Sequence, residues 1–306
     1  MSDFSPSASI TKVQTFVRRS SSTLFLWVLV TGVFISGWTW AFLALMGTLV
    51  IIATLEYFRM IRADKLPCFP RFGLVCALTY LAVEYWPMIM GKTPYPELEI
   101  LALSAVTIGA FTLQLRYRIE GINSLLSVAS NLLGFVYIPV MFGFAAKLLF
   151  LAPGSMETPG QLPPSSAFLL LWLIAVTKFT DMGAYITGSL IGKHKMIPHI
   201  SPAKTWEGFA GGLLFSQLAG FGLYLCFPDH LSILGGPMHV AILGGLLAVL
   251  AVVGDLAESV VKRSLHAKDS GQILPGIGGS LDLIDSICFT APALYFYIKW
   301  VLLPTF

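Results

Sequence analysis

Charged side chains interrupt the most apolar stretches in the second half of this chain. Lys178 and Asp181 fall inside one stretch, Asp255 and Glu258 inside another, and Asp282 and Asp285 at the mouth of a third. An ionised side chain in hydrocarbon is costly, so such residues point to function by default. Asp255, Ser259 and Lys262 are spaced four and three apart, which places them on one helix face. A carboxylate and a hydroxyl one turn apart can ligate a hard cation. Lys262 and Arg263 lie nearer water, where an anionic substrate arrives. Taken alone, that basic pair is more often a headgroup anchor. Ion pairing of Lys178 with Asp181 at i,i+3 is the purely structural account of the first pair.

Two further segments accompany these carboxylates. Ser201-Pro202-Ala203-Lys204-Thr205-Trp206-Glu207-Gly208 reads as a helix start, with Ser201 as N-cap and Pro202 at N1. Lys204 then falls at N3, where a bare cation opposes the helix dipole. A bound anion at that terminus, commonly a phosphate, reverses the argument. An ordinary surface lysine fits the segment equally well. Downstream, Pro275-Gly276-Ile277-Gly278-Gly279 allows backbone N–H groups to converge on an anion. By itself such a loop usually means only a tight connection. Carboxylates beside a phosphate-binding loop suggest Mg²⁺ bridging to phosphate oxygens. The combination reads as metal-assisted phosphoryl or nucleotidyl transfer at a membrane surface, with a lipid from the bilayer and a nucleotide from the cytosol. Neither a P-loop nor a kinase glycine motif is present, so the chain does not resemble a soluble NTPase. The four cysteines form no CxxC pair, and the five histidines do not cluster at metal-ligand spacing. His266 reads as a solvated loop residue.

The elements that position these groups follow from composition. Of 306 residues, 56% are hydrophobic and only 11% charged, against about 25% charged in soluble domains. That composition predicts an all-α, polytopic integral membrane protein. Spans of about 20 apolar residues fall at 72–90, 100–115, 121–146, 167–191, 208–227, 240–261 and 284–303. The charge-free run 20–55 is too long for one helix and splits near Gly37-Trp38 into two, which makes about nine spans. The fifth of these spans is expected to kink at Pro139. With the N-terminus in the cytoplasm, cytoplasmic segments hold 15 of the 19 Lys and Arg residues. Lys92, Lys147 and Lys299 then fall outward and Lys178 within a span. Glu84 reads either as a locally paired carboxylate or as a functional one. The chain divides into a polar, retained cytoplasmic tail at 1–22, a five-helix region at 23–165 and a four-helix catalytic region at 166–306.

The run from Ser259 through Lys262-Arg263, Lys268-Asp269, Gly271, Pro275-Gly276-Ile277-Gly278-Gly279, Asp282 and Asp285 to Ser286 resembles the signature of the phosphatidate cytidylyltransferases, or CDP-diglyceride synthases. Upstream, Asp181-Met-Gly183-Ala184-Tyr185, Gly188, Gly192-Lys193 and Ser201 to Gly208 also resemble that family. The likeness covers about residues 175–290, and the first 170 match only as generic spans. It implies a homodimeric, all-helical enzyme of the bacterial inner membrane. Its active site would face the cytoplasm and condense phosphatidate with CTP to give CDP-diacylglycerol and pyrophosphate, with Mg²⁺ and a second cation as cofactors and no nucleic-acid partner. By the resemblance, Asp255 and Asp282 are metal carboxylates, with Ser259 close by. Lys204, Lys262, Arg263, Lys268 and Asp269 handle phosphates and nucleotide, while Asp181 and Asp285 complete the polar pocket. Ser201, Thr205, Gly276, Gly278 and Gly279 are the remaining substrate-binding candidates. Two positions depart from the family pattern: Ile277 stands where His is usual, and Leu283 where Arg is usual. Two other functions fit the polar half of the chain: a CTP-dependent lipid or polyprenol kinase of the same fold, and a non-catalytic transporter or scaffold.

Overall fold

The computed structural model describes residues 28–95, 97–152, 158–267, 270–271 and 278–303. Residues 28–36 are helical (α1). The chain then turns at Gly37, whose φ of 63° favours glycine, and re-enters as α2 (Thr39–Ala63). The break at Gly37-Trp38 is where the charge-free run was expected to split. The loop at 158–163 is tied into this turn, with Leu162 N donating to Gly37 O at 2.8 Å and Thr39 N to Gly160 O at 3.0 Å. At 25 residues α2 runs well past Leu55, the expected end of its span. It therefore carries Glu56 as a helical, fully buried residue.

Next come α3 (Pro70–Ile89) and α4 (Leu98–Gln114), then α5 (Ile122–Phe135) and α6 (Met141–Leu148). Between α5 and α6, Val136–Val140 is π-helical around Pro139. Proline offers no N–H to the ladder, so the expected irregularity is absorbed as a wider turn rather than a break. The second half contains α7 (Pro164–Ile191), β1 (Lys195–Ile197), β2 (Ser201–Thr205), α8 (Trp206–Cys226), α9 (Pro237–Ser264) and α10 (Ser280–Tyr297). A π-helical stretch, Ile298–Leu302, extends α10.

Among the described residues, seven helices are long and apolar enough to cross a membrane, with α5 to α6 counted as one. The eighth, α4, has 17 residues and is shorter. The protein is thus an all-α, polytopic integral membrane protein. Among the described residues, the β1–β2 hairpin is its one sheet.

Interhelical hydrogen bonds join the bundle where lipid supplies no hydrophobic drive. Fully buried Trp172 on α7 donates from Nε1 to Gly220 O on α8 at 3.0 Å. Ser216 Oγ on α8 donates to Gly244 O on α9 at 2.6 Å. Thr177 and Thr290 hydroxyls meet at 3.0 Å between α7 and α10. In the first half of the chain, Tyr57 of α2 donates to Ser130 O of α5 at 2.9 Å.

Lys147, expected on the outward side of the membrane, is a helical and buried residue. It lies in the last turn of α6 and is 6% exposed, with Glu84 of α3 at 3.4 Å and Glu99 of α4 hydrogen-bonded to it. Its positive charge is needed because Glu84 is completely buried there.

Candidate active site

The site is assembled from α7, β2, α9 and the start of α10. The first difference from expectation concerns Ser201 to Gly208. Ser201 is not a helix cap, because the segment through Thr205 pairs as a strand with β1, Lys195 opposite Thr205 and Ile197 opposite Ser201. The partner strand takes up backbone groups that a lone segment would have committed to a helix. The N-cap of α8 is Thr205, whose hydroxyl accepts from Gly208 N at 3.1 Å. Glu207 then closes the hairpin by accepting from the Lys193 and His194 N–H groups at 3.1 to 3.3 Å. Lys204 is consequently on the strand rather than at N3. It projects toward α9, its Nζ 2.8 Å from Asp255 Oδ2 and 3.2 Å from Val252 O.

Helices α9 and α10 meet closely at Gly254. A Cβ there would lie 2.9 Å from Asp285 O and from Ser286 Cα, so only glycine allows this approach. One residue and four residues further along α9 are Asp255 and Glu258, which share a face. Opposite stands Asp285 of α10, and carboxylate oxygens of these three lie within 4.8 Å of one another. Glu258 is 2% exposed, and its Oε1 has no hydrogen-bond partner. Asp285 is also buried, with Oδ1 accepting from Ser286 N at 2.5 Å.

Asp282, expected beside Asp255 as the second metal carboxylate, stands outside this triple. It occupies the first turn of α10, where Oδ2 folds back to accept from Gly279 N and Ser270 Oγ, both at 2.9 Å. Asp285 is nearly one turn further into the bundle and faces α9 instead. Lys262 joins the two levels, with Nζ 2.6 Å from Glu258 Oε2 and 2.8 Å from Asp282 Oδ1. Ser259 is half-buried on α9 next to Glu258, and Arg263 is exposed. Asp181 pairs with Lys178 at 3.5 Å, and both act electrostatically on Asp285. Gly279 N is committed to Asp282, so that N–H is not free for a phosphate. Gly278, at φ 113°, adopts a conformation that favours glycine. Lys268, Asp269 and Gly276, expected among the substrate-handling residues, lie outside the described residues, as does Ile277.

With every carboxylate ionised, Asp181, Asp255, Glu258, Asp282 and Asp285 face Lys178, Lys204 and Lys262. Among the described residues of the site, five negative charges against three positive leave an excess of two. The donor set, all carboxylate oxygens with one buried oxygen unpartnered, suits a hard divalent cation. With such a cation bound, the site could neutralise phosphate groups, with lysines at its margin. Glu258 could have been read from the sequence as a member, since it lies within a span at i+3 from Asp255.

Comparison with known proteins agrees with this chemistry. The cytidylyltransferase family profile matches residues 17–301. A phosphatidate cytidylyltransferase of Staphylococcus epidermidis is 31% identical over 285 residues, covering 92% of this chain and 97% of the relative. That of Staphylococcus aureus is 32% identical over 287 residues, with the same two coverages. The Escherichia coli protein YnbB, itself uncharacterized, is 30% identical over 278 residues, covering 87% of this chain and 82% of the relative. A profile match across nearly the whole length, with the carboxylate cluster inside it, leads to one conclusion: this chain belongs to the cytidylyltransferase family.

Proposed function

We propose that the protein transfers the cytidylyl group of CTP to phosphatidate, giving CDP-diacylglycerol and pyrophosphate for phospholipid synthesis. The observation that carries this reading is the Asp255–Glu258–Asp285 cluster beside Lys204 and Lys262, in a chain of this family. Its relatives in two staphylococci bear the name of that activity.

An oxygen of the phosphatidate phosphate attacks the α-phosphorus of CTP. The new P–O bond forms as the bond between the α-phosphorus and the bridging α,β oxygen breaks, and pyrophosphate leaves with that electron pair. No protein nucleophile is needed, because a phosphate monoester oxygen is already nucleophilic at neutral pH. The protein's work is positioning and neutralising charge. Asp255, Glu258 and Asp285 would hold Mg²⁺, with Asp282 and Ser259 at the margin and a second cation within reach of the same carboxylates. Bound there, Mg²⁺ supplies Lewis-acid neutralisation of phosphate oxygens. Lys204 is held between β2 and α9, at a site it shares with Asp255, and is placed to pair with phosphate there. Lys262 holds Glu258 and Asp282 at fixed separation, and exposed Arg263 faces arriving anions. Asp181 with Lys178 borders the cluster on α7. Substrate contacts by Ser201, Thr205, Gly278, and by Lys268, Asp269 and Gly276, belong to the same proposal.

In the membrane we place nine spans, with the N-terminus and active site cytoplasmic, in the bacterial inner membrane, and a homodimer as the assembly. The basic residues of cytoplasmic segments support that orientation. The deciding experiment uses purified protein in mixed micelles with phosphatidate, Mg²⁺, and CTP labelled at the α or γ phosphate. Label from α appearing in the lipid, with metal-dependent pyrophosphate, is the expected result. Label from γ would replace the proposal with a lipid kinase, and no lipid label at all would leave the transporter or scaffold reading.

A further inference from the structure

The segment joining α9 to α10 carries most of the signature residues, and both of its ends are held by a helix from the other half of the chain. At the near end, His266 Nδ1 is 2.9 Å from Oδ1 of Asp64, the residue that closes α2. At the far end, Ser280 Oγ donates to Leu49 O of α2 at 3.0 Å. Between these, Glu56 of α2 places Oε2 3.0 Å from Leu281 N. The N-cap of α10 is Gly279, which has no side chain to accept the free N–H groups of the first turn. Glu56 supplies that acceptor from 225 residues away. Its carboxyl group also lies at the positive end of the α10 dipole.

The neighbouring glycines are shaped by the same carboxylate. A Cβ on Gly271 would run into Glu56, whose atoms are the three nearest to it. A Cβ on Gly279 would run into Ser270 Oγ first and would also lie 2.7 Å from Glu56 Oε2. Gly271 is therefore explained by the close passage of backbone around Glu56, and Gly279 by that of Ser270 and Glu56 together, with no appeal to a bound phosphate. The first turn of α10 thus has two carboxylate caps: Asp282 turns back to Gly279 N, and Glu56 takes Leu281 N. Between them they fix the rotation of the helix that presents Asp285 to α9.

We infer that Glu56 is a positioning residue of the transfer reaction: it caps α10 from α2 and so sets where Asp282 and Asp285 stand. This rests on the function proposed above for its kinetic consequence, though not for the structural one. The N-terminal half then contributes directly to active-site geometry, in addition to anchoring the enzyme.

The test uses the full-length protein with Glu56→Ala, Glu56→Gln and Gly271→Ala, assayed for turnover at saturating CTP, phosphatidate and Mg²⁺, and for amide exchange along α10. Losing a cap is expected to lower kcat about tenfold and to speed exchange at Ser280 to Asp282 by a similar factor. Exchange at Ala291 to Leu294 should be unchanged. Glu56→Gln, which keeps one acceptor oxygen, should fall between wild type and Glu56→Ala. Gly271→Ala crowds the same carboxylate and should slow turnover in wild type but add nothing to Glu56→Ala. If Glu56→Ala cannot be recovered folded, Gly271→Ala and Glu56→Gln carry the test, and unchanged exchange and turnover in both would overturn the inference. So would Glu56→Ala with kcat within twofold of wild type, or with exchange accelerated uniformly along α10. Should wild type make no CDP-diacylglycerol, the functional reading fails, while the exchange measurements still decide the role of Glu56 as a cap.

Discussion

Replacing Glu258 by Gln separates a metal carboxylate from a structural one. Three carboxylates within 4.8 Å repel one another in the absence of a cation. At that distance each pair costs roughly 3 kcal/mol for an effective dielectric of about 20. Glu258→Gln removes two of the three repulsions together with the Lys262 pair at 2.6 Å, and keeps the side-chain volume. Lys262 retains Asp282 at 2.8 Å, so no charge is stranded. The metal-free variant should therefore be close to wild type in stability. With Mg²⁺ at about 100 times its dissociation constant, wild type should gain about 2.7 kcal/mol by linkage, and the variant should lose most of that gain. Turnover should fall by roughly a thousandfold, or about 4 kcal/mol of transition-state stabilisation. Thermal unfolding in detergent with and without Mg²⁺, beside the CTP assay, measures both. A variant that keeps the Mg²⁺ shift, or turns over within tenfold of wild type, would refute the assignment of Glu258 to the metal.

Lys147→Met should destabilise the protein by about 3–5 kcal/mol, because it leaves Glu84 and Glu99 without their cation; denaturant unfolding checks this, and a change below about 1 kcal/mol would contradict the pairing. The specific activity of the folded fraction should not change, since that cluster belongs to α3, α4 and α6, away from the site. Lys204→Met should reduce kcat/KM for CTP by about a hundredfold, on the scale of a lost charge-assisted contact, and leave the dependence on phosphatidate acyl length untouched; initial-rate measurements with varied lipids would show it. In a background without native cysteines, an impermeant thiol reagent applied from outside should modify a cysteine at Ser155 and spare one at Ser201 or Ser270; strong labelling at Ser201 would reverse the orientation.

Much of the architecture was legible before folding. Apolar length marks a span because lipid offers no hydrogen bonds, so each crossing must be a helix that satisfies its own backbone. That rule located α3 and α5 to α10 to within a few residues. The break at Gly37 and the irregularity at Pro139 were legible for equally local reasons, a positive φ and a missing N–H. Asp255 and Glu258 stood out because charge inside an apolar run is costly wherever the helix goes, and the family signature was likewise a property of consecutive residues.

What the tertiary structure alone decided concerns partners far apart in the chain. Ser201-Pro202 has the local features of a helix cap, yet β1 pairs with it and moves the cap to Thr205. Lys147 has the look of an outward residue until α3 and α4 bring Glu84 and Glu99 to it. Asp282 and Asp285 are three residues apart on one helix, and sequence spacing cannot say which faces α9; the Gly279 N–H and the approach at Gly254 settle that. Glu56 is the extreme case, a carboxylate next to the apparent end of a span whose partner is a backbone N–H 225 positions later. Periodicity and composition describe a helix against its solvent. They carry no term for which helix lies beside it, and that choice, made by packing of the whole bundle, is what brings the acidic cluster together.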